Sequence, residues 1–194
     1  VTSIGYGAFA YCKSLTSITF NDKLESVGQR AFLRCENLKK ITLPDSLTSI
    51  GDGAFLECGE ITEIFIPKNV TSIGTGVFQE CRKLESIIVD DENPCYNSQN
   101  DCNSIIETAT DTLVCGCKNS FIPYGVKIIG ARAFDGCFNL AEITIPDSVT
   151  SIGDSAFYWC YDLYKIEIPN SVTSIGEYAI SRSEERRVGK ECRS

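Results

Sequence analysis

The sequence predicts a β-rich solenoid of the α/β type, and three observations carry that prediction. The first is a register. Phe9, Phe32, Phe55, Phe78, Phe134 and Phe157 follow one another at intervals of 23, 23, 23, 56 and 23 residues. A cysteine stands three positions after each, at Cys12, Cys35, Cys58, Cys81, Cys137 and Cys160. The second is a strand-like alternation inside each period, and the third is a proline that closes it. A copy this short cannot bury its own apolar face, so copies must stack and share one core.

Within a copy, "LTSITF" alternates polar and apolar residues, the mark of a half-buried strand. Ile18 and Phe20 are expected to point inward while Ser17 and Thr19 face outward. Stacked equivalents predict one parallel sheet of about seven strands, spaced at about 4.8 Å. Pro44, Pro67, Pro123, Pro146 and Pro169 lack an N–H to extend the ladder, so the chain bends there. The segment "VTSIG" then runs along the opposite side, its glycine read as the residue that permits a turn. Ala-Phe enters the core, and the cysteine beside it packs as a small buried thiol.

The long interval is two periods plus ten residues, and "SFIPYGVKIIGARAF" resumes the ordinary register because Ile122-Pro123 matches Ile66-Pro67. A variant coil therefore spans about residues 90–118 and lacks the Ala-Phe-x-x-Cys element. Its "CNSIIETATDTLVCGC" reads as a β-hairpin turning at residues 108–111. That register sets Ile106 opposite Leu113, Ser104 opposite Cys115 and Cys102 opposite Cys117, all on the buried face. Cys102 and Cys117 thus become a candidate disulfide.

Chemistry is scarce. The formal net charge of −8 opposes binding to nucleic acid. There is no histidine, which removes the commonest general base and a common metal ligand. Cys95, Cys102, Cys115 and Cys117 do not have the short paired spacing by which a zinc knuckle clasps its ion. Asp90-Asp91-Glu92 falls where a strand ends and reads as a solvated loop. No catalytic residue, cofactor or metal is expected, and no apolar run is long enough for membrane insertion. The chain also lacks methionine, so it is read as a fragment.

The pattern I-G-x-x-A-F-x-x-C-x-x-L-x-x-I-x-I-P resembles the BspA-like leucine-rich repeats, and the resemblance covers about residues 1–181. The variant stretch "ENPCYNSQNDCNSIIETATDTLVCGCKNSFIP" is similar to the longer hairpin-bearing repeat of such proteins. The resemblance implies a cell-surface or secreted protein, with an extracellular-matrix or cell-surface protein as ligand. "RSEERRVGKECRS", residues 182–194, departs from the repeat and resembles a translated sequencing adapter; it is read as a non-native tail.

What remains is surface. Outward strand positions read Thr19, Thr42, Phe65, Ile88, Thr144 and Glu167, so Phe65 and Ile88 interrupt a polar column and form one candidate contact patch. A second is the cluster Tyr158, Trp159 and Tyr161, where tryptophan stands in a column otherwise filled by Tyr11, Arg34, Glu57, Glu80 and Gly136. The expected function is non-catalytic protein binding, as in an adhesin. The alternatives are a structural spacer that projects another domain, or a repeat region flanking an enzyme domain.

Overall fold

The structure, a computed structural model, describes residues 1–181; the tail at 182–194 lies outside the described residues. In chain order the first strands are β1 (Ser3–Ile4), β2 (Ser17–Thr19), β3 (Ser26–Val27), β4 (Lys40–Thr42), β5 (Ser49–Ile50), β6 (Glu63–Ile66), β7 (Ser72–Ile73) and β8 (Ser86–Val89). The variant coil supplies β9 (Tyr96–Asn97), β10 (Ser104–Glu107) and β11 (Thr112–Gly116). The regular pattern resumes with β12 (Ile128–Ile129), β13 (Glu142–Thr144), β14 (Ser151–Ile152), β15 (Lys165–Glu167) and β16 (Ser174–Ile175). A three-residue 3-10 turn, Gln99–Asp101, is the one helical element among the described residues. The molecule is a β solenoid whose coils advance by one repeat.

The phenylalanine column forms the axis of the core. Phe9 stacks on Phe32, Phe32 on Phe55 and Phe55 on Phe78, with ring centroids 5.1, 5.3 and 5.5 Å apart and planes within 9° of parallel. Phe134 and Phe157 repeat the arrangement at 5.1 Å. The backbone sets this spacing, because Phe32 N–H donates to the Ala54 carbonyl at 2.8 Å and Phe134 N–H to that of Ala156 at 2.7 Å. These buried N–H groups are thus satisfied by the neighbouring coil, as stacking requires.

The Ser-Ile-Gly side differs from expectation in two ways. Its two-residue strands pair in parallel as β1-β3-β5-β7, a longer continuous ladder than the "SITF" side makes. Its glycines also do not turn the chain through a left-handed conformation. A side chain on Gly51 would lie 2.5 Å from Gln29 N, and one on Gly28 2.8 Å from the Ile4 carbonyl oxygen. Glycine is required because each coil approaches the backbone of the preceding one too closely for a Cβ. Gly5, in the first coil, meets nothing.

On the strand side the parallel ladder is divided into the pairs β2-β4, β6-β8 and β13-β15, rather than forming one sheet of seven. β4 and β6 lie side by side without ladder bonds. Nothing there enforces the close approach that glycine enforces opposite, and the side chains are β-branched or aromatic. The coils splay on this side.

The variant coil continues the Ser-Ile ladder by other means. β11 pairs in parallel with β12, so the second sheet runs β16-β14-β12-β11-β10-β9. The free edge of β7 is covered by a side chain, since Ile73 N–H donates to the Tyr96 hydroxyl at 3.0 Å. The β10–β11 hairpin turns where expected, with Ile106 opposite Leu113, but a bulge between Ile105 and Ile106 shifts the rest of the register. Ser104 therefore faces Gly116 and Ile105 faces Cys115, which corrects the predicted Ser104–Cys115 pairing. The bulge turns Ile105 and Ile106 both inward, each toward a different apolar cluster.

Candidate functional site

β6 and β8 hold Phe65 directly beside Ile88 in a parallel register. Ile64, Ile66, Ile87 and Val89 on the same strands are buried, so strand alternation leaves Phe65 and Ile88 outside, 43% and 44% exposed. Phe121 occupies the corresponding outward position of the next rung and is 46% exposed. Sequence reasoning passed over it, although the match of Ile122-Pro123 to Ile66-Pro67 places it in the same column as Phe65. Beside Phe65, the splay between β4 and β6 opens a groove of about 510 Å³ whose lining includes Lys39, Lys40, Thr42, Thr62 and Glu63. An apolar stripe bordered by ammonium groups, hydroxyls and a carboxylate suits a polypeptide surface better than a small substrate.

The aromatic cluster forms a continuous belt. Tyr158 stacks on Trp159 at 5.3 Å, Trp159 lies 6.5 Å from Tyr161, and Tyr161 packs on Phe138 at 5.4 Å. The Arg82 guanidinium sits 4.4 Å over Phe138, a cation–π contact from another coil. Tyr161 is exposed, whereas Tyr158 and Trp159 are half-buried by their neighbours. The indole N–H of Trp159 is out of solvent with no partner. Trp159 also has φ 57°, and Tyr11, Arg34, Glu57, Glu80 and Gly136 share that left-handed conformation. The column's backbone favours glycine and tolerates side chains at a cost of about 1 kcal/mol or more each. Tryptophan is therefore not there to serve the coil's backbone.

Cys102 and Cys117 are both buried free thiols. Cys117 Sγ lies 3.6 Å from the Asn103 carbonyl, and Cys102 Sγ contacts the Ser98 hydroxyl and the Ser104 carbonyl. They belong to different apolar clusters, since the bulge has moved them out of the opposed register the sequence suggested.

The other thiols do more than fill space. Cys35 Sγ donates to the Phe9 carbonyl at 3.1 Å, Cys58 to Phe32 at 3.1 Å, Cys81 to Phe55 at 3.2 Å and Cys160 to Phe134 at 3.0 Å. Burial pushes the Cys81 and Cys160 thiols up to about 12, well out of the range of a thiolate nucleophile. Among the described residues no three His, Cys, Asp or Glu side chains are placed to hold a metal ion, and no helix is long and apolar enough to cross a membrane. In the acidic run, Glu92 pairs with Lys68 at 2.7 Å and Asp90 accepts from the Glu92 N–H.

The chain matches the family described as "BspA type Leucine rich repeat region" over residues 1–108 and 113–187, in six copies. It is similar to a leucine rich cell surface protein from Faecalibacterium prausnitzii A2-165, at 34% identity and TM-score 0.82, covering 96% of this chain and 50% of that one. A leucine-rich repeat protein from Eubacterium ventriosum is 31% identical with TM-score 0.73, over 90% of this chain and 53% of that one. The pneumococcal vaccine antigen PcpA, 21% identical, shares the fold at TM-score 0.82, over 92% of this chain and 51% of that one. The chain thus spans about half the length of the solved proteins it matches. No curated protein matches it.

Proposed function

Because this chain belongs to the BspA type leucine-rich repeat family, we propose that it is a non-catalytic protein-recognition array of a surface or secreted adhesin. Its ligand is an extracellular-matrix or cell-surface protein, held by many weak contacts along a rigid face. One observation carries the reading: Phe65 and Ile88 stand side by side, exposed, where four other coils place threonine or glutamate. A cross-strand pair adds at most about 1 kcal/mol to the solenoid, whereas an apolar pair with a polar rim is what a contact surface uses. Tyr158, Trp159 and Tyr161 form a second contact surface on a different segment of the coil.

The test is capture by immobilised matrix proteins, with Phe65→Ser/Ile88→Thr and Tyr161→Ser compared with the unsubstituted chain. Capture reduced at least tenfold at an unchanged melting temperature supports recognition. Capture at full strength by both variants overturns the assignment of these surfaces. Absence of any ligand in the same screen favours a spacer.

A further inference from the structure

From Phe9 to Phe157 the junctions between regular coils are made of stacked phenylalanines, except one. The variant coil has no Ala-Phe-x-x-Cys segment, so on that side the fourth coil meets the coil that resumes at Gly130 directly. The meeting is polar. Arg132 donates to the Gln79 side-chain oxygen and pairs with Asp135, both at 3.2 Å. Asn139 donates to the Arg82 carbonyl at 3.3 Å. Glu80 N–H reaches the Asp135 carbonyl at 3.4 Å, whereas the equivalent bond one coil earlier, Glu57 to Gln79, measures 2.9 Å. The seam is stretched at the point where Gly136 packs on Glu80, a Cβ there being 2.5 Å from Glu80 Cγ.

Two carboxyls lie in this seam. The Asp135 side chain is fully buried, and its Oδ1 has no hydrogen-bond partner. It lines a cavity of about 10 Å³ between the two coils, together with Cys81, Cys115, Cys117 and Cys137. Glu80 is buried beside it, paired with Arg82 at 3.6 Å. From its own coil Asp135 faces Arg132, and from the fourth coil Gln79, Glu80 and Arg82. One coil further on are Glu57 and its partner Arg34, and on the far side the Cys160 thiol.

We propose that this seam is a proton-operated joint: the Asp135 carboxyl holds the two halves of the array together when protonated and loosens them when it ionises. A neutral carboxyl places no charge in the cavity. An ionised one leaves Oδ1 charged with no donor, beside a second acid, and Arg132 and the Gln79 side chain offset that cost only in part. Burial, offset by Arg132 and reinforced by Glu80, raises the Asp135 carboxyl to about 7, and burial raises Glu80 as well. The unfolded carboxyl titrates near 3.9. The joint's contribution is therefore complete below that value and is lost as pH rises through about 7. The consequence is positional: Phe65 and Ile88 lie on one side of the seam, and Trp159 and Tyr161 on the other.

The experiment compares Asp135→Asn with the unsubstituted chain, by thermal unfolding from pH 5 to pH 8.5 and by amide exchange at Glu80, whose N–H crosses the seam to Asp135, with Gly136, whose N–H donates to Tyr158 in the following coil, as the control. The melting temperature of the unsubstituted chain should fall relative to the variant by about 5 °C across that range. Exchange at the Glu80 amide, corrected for intrinsic rate, should quicken at least tenfold above pH 7 in the unsubstituted chain alone, with Gly136 unchanged. Parallel pH profiles for the two proteins would overturn the proposal. If Asp135→Asn does not fold, Glu80→Gln takes its place. Removing the neighbouring charge must shift the transition to lower pH, because Asp135 then ionises more readily; an unshifted transition would overturn the proposal.

Discussion

Gly116 holds the place in the variant coil that phenylalanine holds elsewhere, and the ring of Phe134 lies against it. Gly116 N–H donates to the Ala133 carbonyl at 2.8 Å, the bond Phe32 makes to Ala54, so the backbone bond to the next coil is kept while the ring column is interrupted. A Cβ at Gly116 would collide with the Phe134 ring. Gly116→Ala should therefore destabilise the protein by about 1–3 kcal/mol, measured by urea unfolding. Combining it with Phe134→Leu should cost less than the sum of the two single changes, since the collision is shared.

Phe55 stacks on both Phe32 and Phe78 and is fully buried. Phe55→Ala should cost about 3–5 kcal/mol. Phe9, half-buried and stacked on Phe32, should cost clearly less when truncated. Equal losses in the two variants would mean that stacking along the axis does not set the energy.

Thiol chemistry should follow burial. Cys12 is exposed, whereas Cys35, Cys58, Cys81 and Cys160 are buried and donate to carbonyls of the preceding coil. In the native protein an aromatic disulfide reagent should modify Cys12 before those four, which should react only on unfolding. Cys58→Ala should cost more than Cys58→Ser, because serine keeps a second donor for the Phe32 carbonyl and alanine leaves it the Cys35 N–H alone.

Trp159 offers a way to separate folding from recognition. Its left-handed backbone favours glycine, so Trp159→Gly recovers conformational strain while losing the stacking on Tyr158 and Tyr161. The melting temperature should change by no more than about 3 °C, an offset of roughly 1 kcal/mol. Capture of a ligand by the aromatic belt should fall at least tenfold. A collapse of stability instead would assign the tryptophan to packing.

Much of this was legible in the spacing. A 23-residue register places Phe32, Cys35, Leu38 and their equivalents in columns directed at the core, and the alternation in "TEIFIP" is enough to put Phe65 outside. What escaped were features that depend on the neighbouring coil. The glycine of Ser-Ile-Gly looks like a turn residue until the preceding backbone is seen to press on it. The thiols look like apolar filler until the carbonyl of the earlier phenylalanine is found within reach. The bulge between Ile105 and Ile106 has no local signal, because both residues are isoleucine and either could face inward. Asp135 follows a core phenylalanine at a position that is half-buried in the other coils, and its contacts with Gln79 and Glu80, where the variant coil lacks the Ala-Phe segment, complete its burial.

The inward turn of both Ile105 and Ile106 gives the hairpin a foot in each of two cores, and this has a mechanical consequence. A chain pulled from its two ends loads every coil in series, and the regular junctions resist through interlocked rings and backbone ladders. The polar junction beside the hairpin lacks stacked rings and should resist least. Under tension the array should part there first and extend in two unequal steps, as a fuse yields before the cable it protects.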